Sequence, residues 1–522
     1  MKKIKKFSVW CIPILLVIIL FLLVWAHYLT NERQLPAAGW SRTVHFNIQS
    51  AFKTPYTYTD DQGLHFYASK GKSIALTNLN DQLKITKKTT FQGKGDVQRI
   101  IWGRENTFIY KADRNLYIHQ NGKDRLLAKD VEETGYLTNE TVLYSKSDDL
   151  YAMALDSGKV TKAHYAAPIA AIAVDDAGNQ VIVTQDEQQQ FLFYFRPNKA
   201  DPRGTPKPFA IILGSAHASI SNLQIKYNGK TLVMAYTQQV IQQGTSYYNY
   251  FLELKNSDLF PDKPADLKAR PIEFHMADGS GTIGNAMDLN LSYKNNKPTL
   301  LFSAQGPRSL RESSINIYEA QQNGQGQWVA ERRSTSVVPS QKPVRLNANT
   351  LLWLDYISND RYQMSAASTN QTVIQQSLAM NRQDLSQSLS DAVMSLGRGM
   401  MFLLLVVTCA APAVLIYGIV AFVKIEWIER EVQWVKYVIG LIFLIAQYIL
   451  ISHFSNALFQ LYAPGYLTFR FSEYVIPTLI AVGMWLLTRW VKTKDWSMIT
   501  ELLYFMLLFI ITEVFLYGPY FF

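Results

Sequence analysis

Two glutamates lie inside an apolar stretch at the C-terminal end of the chain, where a charged side chain is costly. Glu501 and Glu513 fall within Met498–Tyr517, and Arg470 lies at the edge of the preceding apolar stretch. Ionisable residues in such surroundings either form ion pairs with one another or have a function, such as transferring protons or binding ions. We therefore take Glu501, Glu513 and Arg470 as the candidate functional residues. A structural role would be an ion pair, with these candidate partners: Arg489 or Lys492 for Glu501, and Arg470 or Arg398 for Glu513.

Three segments of the polar middle region resemble catalytic or metal-binding motifs, but each lacks the context that its chemistry needs. Asp278–Gly284 contains G-x-G-x-x-G, which binds a dinucleotide only between a strand and a helix, and here β-type sequence flanks it on both sides. Ser69–Lys72 matches S-x-x-K without the downstream partners of that enzyme class. Asp175–Asn179 is more typical of a turn than of a calcium loop. The sequence predicts no catalytic residue, no metal ligand and no cofactor, which favours a non-enzymatic protein.

The net charge of +10 does not indicate a nucleic-acid partner. A lysine cluster within the first six residues supplies part of the excess, and the rest is spread over the polar middle region without a basic stripe. Both cysteines, Cys11 and Cys409, lie in apolar stretches, so the long region between them has neither a disulfide nor a cysteine metal site.

Five apolar stretches are long enough, alone or with their flanks, to cross a membrane as helices. About 20 residues are needed to span the ~30 Å hydrocarbon core. The first stretch follows the lysine cluster and predicts an N-terminal signal anchor over residues 1–30, with a cleaved signal peptide as the alternative. The other four predict a four-helix transmembrane bundle over residues 400–522. The five stretches are Phe7–Ala26, Met400–Val423, Tyr437–Ile451, Tyr474–Leu487 and Met498–Tyr517.

Basic residues in the loops indicate how these spans are oriented, because cytoplasmic loops are enriched in Lys and Arg. The loop Ser452–Glu473 contains only Arg470. The loops on the opposite side contain Lys424, Arg430, Lys436, Arg489, Lys492 and Lys494. This bias predicts a multi-pass protein of the cell membrane with a cytoplasmic N-terminus. The large middle domain and the C-terminus would then be extracytoplasmic.

Residues 31–380 consist of short β-branched and aromatic runs separated by Gly, Asn and Asp turns, a pattern typical of strands. One unit recurs clearly, since Asp113–Ile118 is echoed by Asp148–Met153. Each copy follows a strand with a Tyr near its end and precedes a Gly turn. Seven such units would each have the length of a propeller blade. Weaker copies begin near Tyr56, Ala171, Asn222, Asn285 and Val344.

The repeat resembles divergent β-propeller repeats in general. The WD dipeptides and Kelch signatures of particular propeller families are absent. The resemblance implies an all-β exported domain of about seven blades, in which closure of the ring buries the faces of each blade. A solenoid or a pair of β-sandwiches would also account for the pattern. Two Pro-rich insertions, Arg196–Pro208 and Asn256–Pro271, are either binding loops on a rim or surface linkers.

Two segments next to the predicted membrane spans are more apolar than a connector needs to be. Apolar residues recur at helical spacing over residues 381–399, which predicts an amphipathic juxtamembrane helix. The loop Ser452–Glu473 is dense in aromatic residues. We expect the two segments to form the interface between propeller and bundle, through the following residues: Leu389, Val393, Phe459, Tyr462 and Phe469.

These features predict an integral membrane protein that presents an extracytoplasmic β-propeller in the cell envelope as a binding, scaffold or sensor module. Its expected partners are the membrane and a protein or glycan outside the cytoplasm. One alternative is a component of a transport or lipid- or polymer-handling system that works through the C-terminal bundle. A second alternative is an extracytoplasmic hydrolase that uses carboxylates at the propeller axis.

Overall fold

The structure is a computed structural model, and it describes residues 2–137, 141–198, 207–214, 217–266, 270–294, 297–307, 313–359 and 361–521. The chain divides into two compact units. A β-rich unit comprises residues 35–307 and 313–379, and a helical unit comprises residues 2–34 and 380–521.

The β-rich unit is a seven-bladed β-propeller, in which seven separate sheets follow one another along the chain. Its first strand, β1 (Val44–Ser50), precedes the blades. Blade 1 contains β2 (Tyr56–Asp60), β3 (Gly63–Lys70), β4 (Ser73–Leu79) and β5 (Ile85–Gln92), and blade 2 contains β6 (Val97–Arg104), β7 (Thr107–Ala112), β8 (Asn115–Gln120) and β9 (Lys123–Ala128). Blade 3 contains β10 (Thr134–Leu137), β11 (Thr141–Lys146), β12 (Asp149–Ala154) and β13 (Val160–His164). Blade 4 contains β14 (Ile169–Val174), β15 (Gln180–Gln185), β16 (Gln190–Arg196) and β17 (Pro208–Leu213).

The second half of the ring is built in the same order. Blade 5 contains β18 (Ala218–Tyr227), β19 (Thr231–Ile241) and β20 (Thr245–Lys255). The short strands β21 (Ala265–Asp266), β22 (Phe274–Met276) and β23 (Thr282–Ile283) follow it. Blade 6 contains β24 (Met287–Lys294), β25 (Lys297–Pro307), β26 (Ser313–Gln322) and β27 (Trp328–Arg332). Blade 7 contains β28 (Ser340–Asn347), β29 (Thr350–Ser358) and β30 (Arg361–Ser368). The expected seven blades are confirmed, and the solenoid and sandwich alternatives are wrong.

The repeated Leu-Tyr unit has a physical cause in cross-strand packing. In blade 2, Tyr117 of β8 lies opposite Tyr110 of β7, with ring centres 5.4 Å apart. In blade 3, Tyr151 of β12 lies opposite Tyr144 of β11, with ring centres 5.1 Å apart. Aromatic pairs across neighbouring strands stabilise a sheet by about 0.2–1 kcal/mol each. The leucine before each second tyrosine points to the opposite face and is buried. The sequence repeat therefore marks the same cross-strand pair in successive blades.

The ring is closed by the strand that comes first in the chain. β1 pairs antiparallel with β30, so that blade 7 contains strands from both ends of the unit. Phe46 and Ile48 of β1 are buried in a core shared with blades 1 and 7, and the intervening Asn47 is exposed. Just before β1, the backbone N–H of Ser41 donates to the carbonyl of Ser368 at 2.9 Å. Closure therefore depends on contacts between residues more than 300 positions apart.

The insertion after blade 5 covers the outer edges of two other blades. β21 pairs parallel with β17 at the edge of blade 4, and β22 pairs parallel with β27 at the edge of blade 6. Covered edges cannot pair with another chain. Asn256–Pro271 thus acts at least partly as a surface linker, one of the two roles expected. The G-x-G-x-x-G string forms the end of the turn after β22 and includes the short strand β23. In the other insertion, residues 199–206 lie outside the described residues.

Five segments of the described helices are long and apolar enough to cross a membrane by length and composition: Val9–Glu32, Arg382–Val423, Gln433–Phe454, Ser472–Val491 and Met498–Phe521. One short helix, α2, belongs to the β-rich unit. The helices are α1 (Lys2–Glu32), α2 (Gln371–Ser377), α3 (Arg382–Cys409), α4 (Ala411–Val423), α5 (Ile425–Glu429), α6 (Gln433–Phe454), α7 (Ala457–Tyr462), α8 (Gly465–Thr468), α9 (Ser472–Val491) and α10 (Met498–Phe521).

The first part of helix α3, residues 382–399, packs in the helical unit through its small and polar residues. Ser388, Ser395 and Gly399 are buried, whereas Leu389 and Val393 are 43% and 55% exposed. Membrane helices pack in this way, because small residues let backbones approach closely while lipid solvates the large apolar side chains. Within the helical unit, the apolar stripe of residues 381–399 is therefore not the packed face. Its expected contact with the propeller stays a prediction.

Helix α1 is packed into the same unit, against α3 and α10. The indole N–H of Trp25 donates to the hydroxyl of Ser388 at 3.0 Å. The hydroxyl of Tyr504 donates to the carbonyl of Val9 at 3.1 Å. Because these two contacts lie far apart along α1, they fix the helix along most of its length. The first apolar stretch thus packs as part of the helical unit.

Candidate functional site

The propeller axis holds a channel of about 640 Å³, which we name the axial channel. It is lined by the first strand of each of six blades, namely β2, β6, β10, β14, β18 and β24. Its charged side chains are Arg99, Asp175, Asp176 and Lys226. Its aromatic side chains are Tyr56, Trp102 and Tyr293. A ring of strands that start at a common axis brings together residues that are distant in sequence, and no local pattern could have located them.

The charged groups of the axial channel differ in whether they are engaged by the protein. Asp175 is buried and forms an Asx turn, in which its Oδ1 accepts the backbone N–H groups of Ala177 at 3.0 Å and of Asn179 at 2.8 Å. Its Oδ2 accepts the backbone N–H of Tyr227 at 3.0 Å. The expected turn at Asp175–Asn179 is therefore confirmed. Lys226 is exposed, and its Nζ lies 4.0 Å from the centre of the Tyr293 ring.

The residues that line the axial channel include two carboxylates, one of which is engaged by the protein itself. Their carboxylates are Asp175 and Asp176, and Asp175 is already hydrogen-bonded through both oxygens. No histidine belongs to the lining residues. Asp176, Arg99 and Lys226 are the exposed charged side chains of the lining. The channel therefore offers a mixed polar and aromatic surface that is suited to binding.

Among the described residues, one group has the spacing of metal ligands, at the edge of blade 3. Asp148, Asp149 and His164 place one ligand atom each within 4.8 Å of one another. However, the Nζ of Lys162 lies 2.7 Å from Oδ2 of Asp149. This hydrogen bond lowers the pKa of Asp149 below its usual value. A lysine thus already neutralises one of the two carboxylates of this group.

A buried ion network joins blades 6 and 7. Glu319 of β26 accepts the Nε–H of Arg333 at 2.9 Å, and its other carboxylate oxygen accepts an N–H of Arg345 in β28. Burial acts to raise the pKa of Glu319, but the two arginines outweigh it and hold the pKa below its usual value. The partners are 14 and 26 residues away along the chain, so sequence reasoning missed them. The network has the geometry of a structural connection between blades.

In the helical unit, Glu501 forms a buried ion pair with two lysines. Its Oε1 lies 3.0 Å from Nζ of Lys436 at the start of α6. Its Oε2 lies 2.7 Å from Nζ of Lys492 at the end of α9. Lys492 was one of the two partners expected from the sequence, which confirms the pair. Lys436 was missed, although it stands in a loop whose basic residues had already been counted as cytoplasmic.

Glu513 has no such partner. It is fully buried in α10, and neither carboxylate oxygen has a hydrogen-bond partner among the described residues. The two expected partners are engaged elsewhere, since Arg398 donates to the hydroxyl of Tyr28 at 3.3 Å and the guanidinium of Arg470 lies 4.9 Å from the centre of the Phe471 ring. The expectation of an ion pair for Glu513 was wrong, because Arg398 and Arg470 make these other contacts.

The five residues expected at the propeller–bundle interface have different surroundings within the helical unit. Phe459 is buried, and its ring centre lies 4.7 Å from that of Phe521. Tyr462 is half-buried, and Phe469 is 43% exposed. Leu389 and Val393 are exposed as described above. Phe459 thus contributes to the core of the helical unit, and the interface of these five residues with the propeller stays a prediction.

No protein-family model matches the sequence, and no curated protein matches it. Solved structures do match. One is a chain from "Crystal Structure of Mitotic Checkpoint Complex", with a TM-score of 0.35 and 7% identity, covering 62% of this chain and 93% of that chain. Another is a chain from a structure of a ctPRC2 complex, with a TM-score of 0.34 and 11% identity, covering 56% of this chain and 71% of that chain. At these scores neither likeness carries an argument about function.

Proposed function

We propose that the chain is an integral membrane protein that presents its β-propeller on the extracytoplasmic side and binds a partner protein there through the axial channel. The observation that carries the proposal is the channel itself, with a volume of about 640 Å³ and a lining of exposed charges and aromatic rings. Concave surfaces with a few convergent polar groups are the usual binding sites of proteins.

The helical unit supports the membrane half of this proposal. Its five apolar segments have the length of membrane spans, and residues 382–399 of α3 turn Leu389 and Val393 outward while burying Ser388 and Ser395. A soluble bundle would bury the opposite set of residues. The lysines and arginines of the loops favour a cytoplasmic N-terminus and an extracytoplasmic propeller.

The composition of the channel supports the binding half. Arg99, Asp176 and Lys226 are exposed and carry both signs of charge beside Trp102 and Tyr293. Aromatic and arginine side chains dominate the binding energy of protein interfaces, and neighbouring charges select the partner. A partner that inserts a loop or chain end of mixed charge would meet both kinds of group at once.

Cysteine labelling of intact cells tests orientation and occupancy together. In a variant with Cys11 and Cys409 replaced by alanine, single cysteines are placed as Lys226→Cys in the channel, Lys123→Cys on the outer part of blade 2, and Glu431→Cys in the loop after α5. A membrane-impermeant maleimide is expected to label Lys123→Cys on intact cells and to label Glu431→Cys only after lysis. Lys226→Cys is expected to react at least about tenfold more slowly on cells than in purified protein, because a bound partner covers it.

Lys123→Cys is the matched control, since Lys123 and Lys226 are both exposed lysines. Labelling of Glu431→Cys from outside, with Lys123→Cys protected, would show the reverse orientation. Equal rates for Lys226→Cys in cells and in purified protein would show that the channel is empty in the cell. Protease treatment of the cell surface is expected to release the protection, whereas protection that survives it would indicate a glycan.

A second function, proton or ion handling by the bundle, is favoured by one observation: the carboxylate of Glu513 has no partner among the residues that the structure describes. A buried carboxyl group without a partner is neutral, because an isolated charge is too costly in apolar surroundings. A hydrophobic carbodiimide, which reacts with protonated carboxyl groups in membranes, is therefore expected to modify Glu513 and to spare Glu501, whose two carboxylate oxygens are paired with lysines. Mass spectrometry of peptides from α10 would locate the adduct, and Glu513→Gln should abolish it.

The pH dependence of this reaction distinguishes a carboxyl group that exchanges protons with water from one that does not. A carboxyl group that exchanges protons with water should be modified more slowly as the external pH rises, because its protonated fraction falls. A modification rate that is independent of pH would mark Glu513 as a sealed structural residue. That result would remove the second function and leave the binding function unaffected.

A further inference from the structure

A lateral cleft of about 370 Å³ opens between α6, α9 and α10. Its long walls are apolar, and Leu441, Leu444, Val482 and Phe505 are among the residues that line them. Gly440 lies in its floor, where a Cβ atom would meet no atom within 4 Å, so the space above this residue is empty. Leu444 lies two helical turns from the charged end of the cleft, which gives an apolar length of about 12 Å.

One end of the cleft is charged. Lys436 and Glu501 line it directly, and Lys492 completes the cluster through its 2.7 Å contact with Glu501. Two ammonium groups share a single carboxylate here, so the cluster keeps one positive charge in excess. The guanidinium of Arg489 lies 4.7 Å from the centre of the Trp485 ring, which also lines the cleft. The charged end is thus cationic, and the rest is apolar.

We propose that this cleft binds one anionic phospholipid, whose headgroup phosphate lies at Lys436 and Lys492 and whose acyl chain lies along the apolar walls. The inference rests on the membrane half of the proposed function, since the cleft opens on the side of a bundle that would face lipid. It does not depend on the propeller or on its partner.

Charge and shape together favour this occupant. A zwitterionic headgroup brings its own cation and gains little from a cluster with an excess positive charge, whereas an anionic headgroup neutralises that excess. Basic pockets between membrane helices on the cytoplasmic side are suited to anionic headgroups, and the basic loops place this end of the bundle there. A soluble anion would leave the apolar walls unfilled. A helix from a partner would need a wider groove than one about 370 Å³ in volume.

Native mass spectrometry of the purified full-length chain in detergent tests the assignment with two lipids of identical acyl chains, phosphatidylglycerol and phosphatidylcholine. The wild type is expected to retain one phosphatidylglycerol about tenfold more strongly than phosphatidylcholine. Gly440→Leu fills the empty space without a backbone clash and is expected to reduce phosphatidylglycerol retention at least tenfold. Lys492→Gln is expected to remove the preference for phosphatidylglycerol while leaving the cleft open.

Gly418→Leu is the matched control. Gly418 is an exposed helical glycine outside the cleft, and a Cβ atom added there would also meet no atom within 4 Å. This variant should leave lipid retention unchanged. Equal retention of the two lipids by the wild type, or undiminished retention by Gly440→Leu, would overturn the proposal. If Gly440→Leu fails to fold, Lys492→Gln decides alone, since Lys492 is partly exposed and Lys436 still pairs with Glu501. Extraction of the chain from membranes by alkaline carbonate would instead overturn the membrane half of the proposed function.

Discussion

Replacing Phe46 with aspartate is expected to unfold the propeller, whereas the same replacement at the neighbouring Asn47 leaves it folded. Phe46 is buried in the core that β1 shares with blades 1 and 7, so the change removes an aromatic side chain and buries an unpaired carboxylate. Loss of a buried Phe costs about 3–5 kcal/mol, and an unpaired buried polar group adds about 1–3 kcal/mol. Because the free energy of unfolding of a domain is only about 5–15 kcal/mol, such a loss removes most of it. Urea unfolding of residues 35–379, followed by circular dichroism, measures it.

The closing strand is the reason why the effect should reach the whole ring. Without β1, the outer edge of β30 loses its partner, and blade 1 loses one of its contacts with blade 7. Asn47→Asp changes the same strand on its exposed face and controls for the added charge. A Phe46→Asp fragment that unfolds at the same urea concentration as the Asn47→Asp fragment would show that the ring does not depend on its closing strand.

The sequence predicts the blades because their signal is local. The Leu-Tyr strands recur since each pairs with the preceding strand across a two-residue turn, and Tyr110 with Tyr117 is one such pair. β1 alternates buried and exposed residues as a strand should. However, its partner β30 lies more than 300 residues later, and nothing in Val44–Ser50 specifies that partner. Closure is a property of the complete ring.

The candidate site is harder to predict, because its residues meet only through tertiary structure. Arg99 and Lys226 belong to different blades and reach the same channel since both lie on first strands. Lys492 is near Glu501 in sequence and could be predicted as its partner, whereas Lys436 comes from another helix. The burial of Glu513 without a partner depends on how α10 is rotated, which its uniformly apolar sequence leaves open.

Hydrophobic periodicity over Arg382–Gly399 predicts the helix but does not identify the face that packs within the helical unit. In water the apolar face of a helix is the packed face, and this rule led to the expectation that Leu389 and Val393 would be buried. In lipid the rule is inverted, because small residues permit close packing and large apolar ones are solvated by acyl chains. Ser388, Ser395 and Gly399 were the informative residues.

Replacing Gly518 with alanine is expected to destabilise the bundle strongly, although it adds only one methyl group. A Cβ atom at Gly518 would lie 2.6 Å from the Cα of Gly399, where α10 crosses α3. The obstacle is backbone, so the two helices must move apart and loosen the packing along both. Overpacking of this kind costs about 1–3 kcal/mol and sometimes more. We expect the apparent melting temperature of the purified full-length chain in mild detergent to fall by roughly 5–10 °C.

Gly399→Ala provides the matched control at the same crossing. A Cβ atom there would lie 3.5 Å from the nearest atom, the carbonyl oxygen of Val514, which is an ordinary van der Waals distance. Alanine is also a better helix former than glycine by about 0.8–1 kcal/mol, so Gly399→Ala should be neutral or slightly stabilising. The two substitutions are chemically identical and differ only in what the new methyl group meets. If both variants melt at the same temperature, the close approach of α3 and α10 does not stabilise the bundle, and the inward face of α3 must be assigned differently.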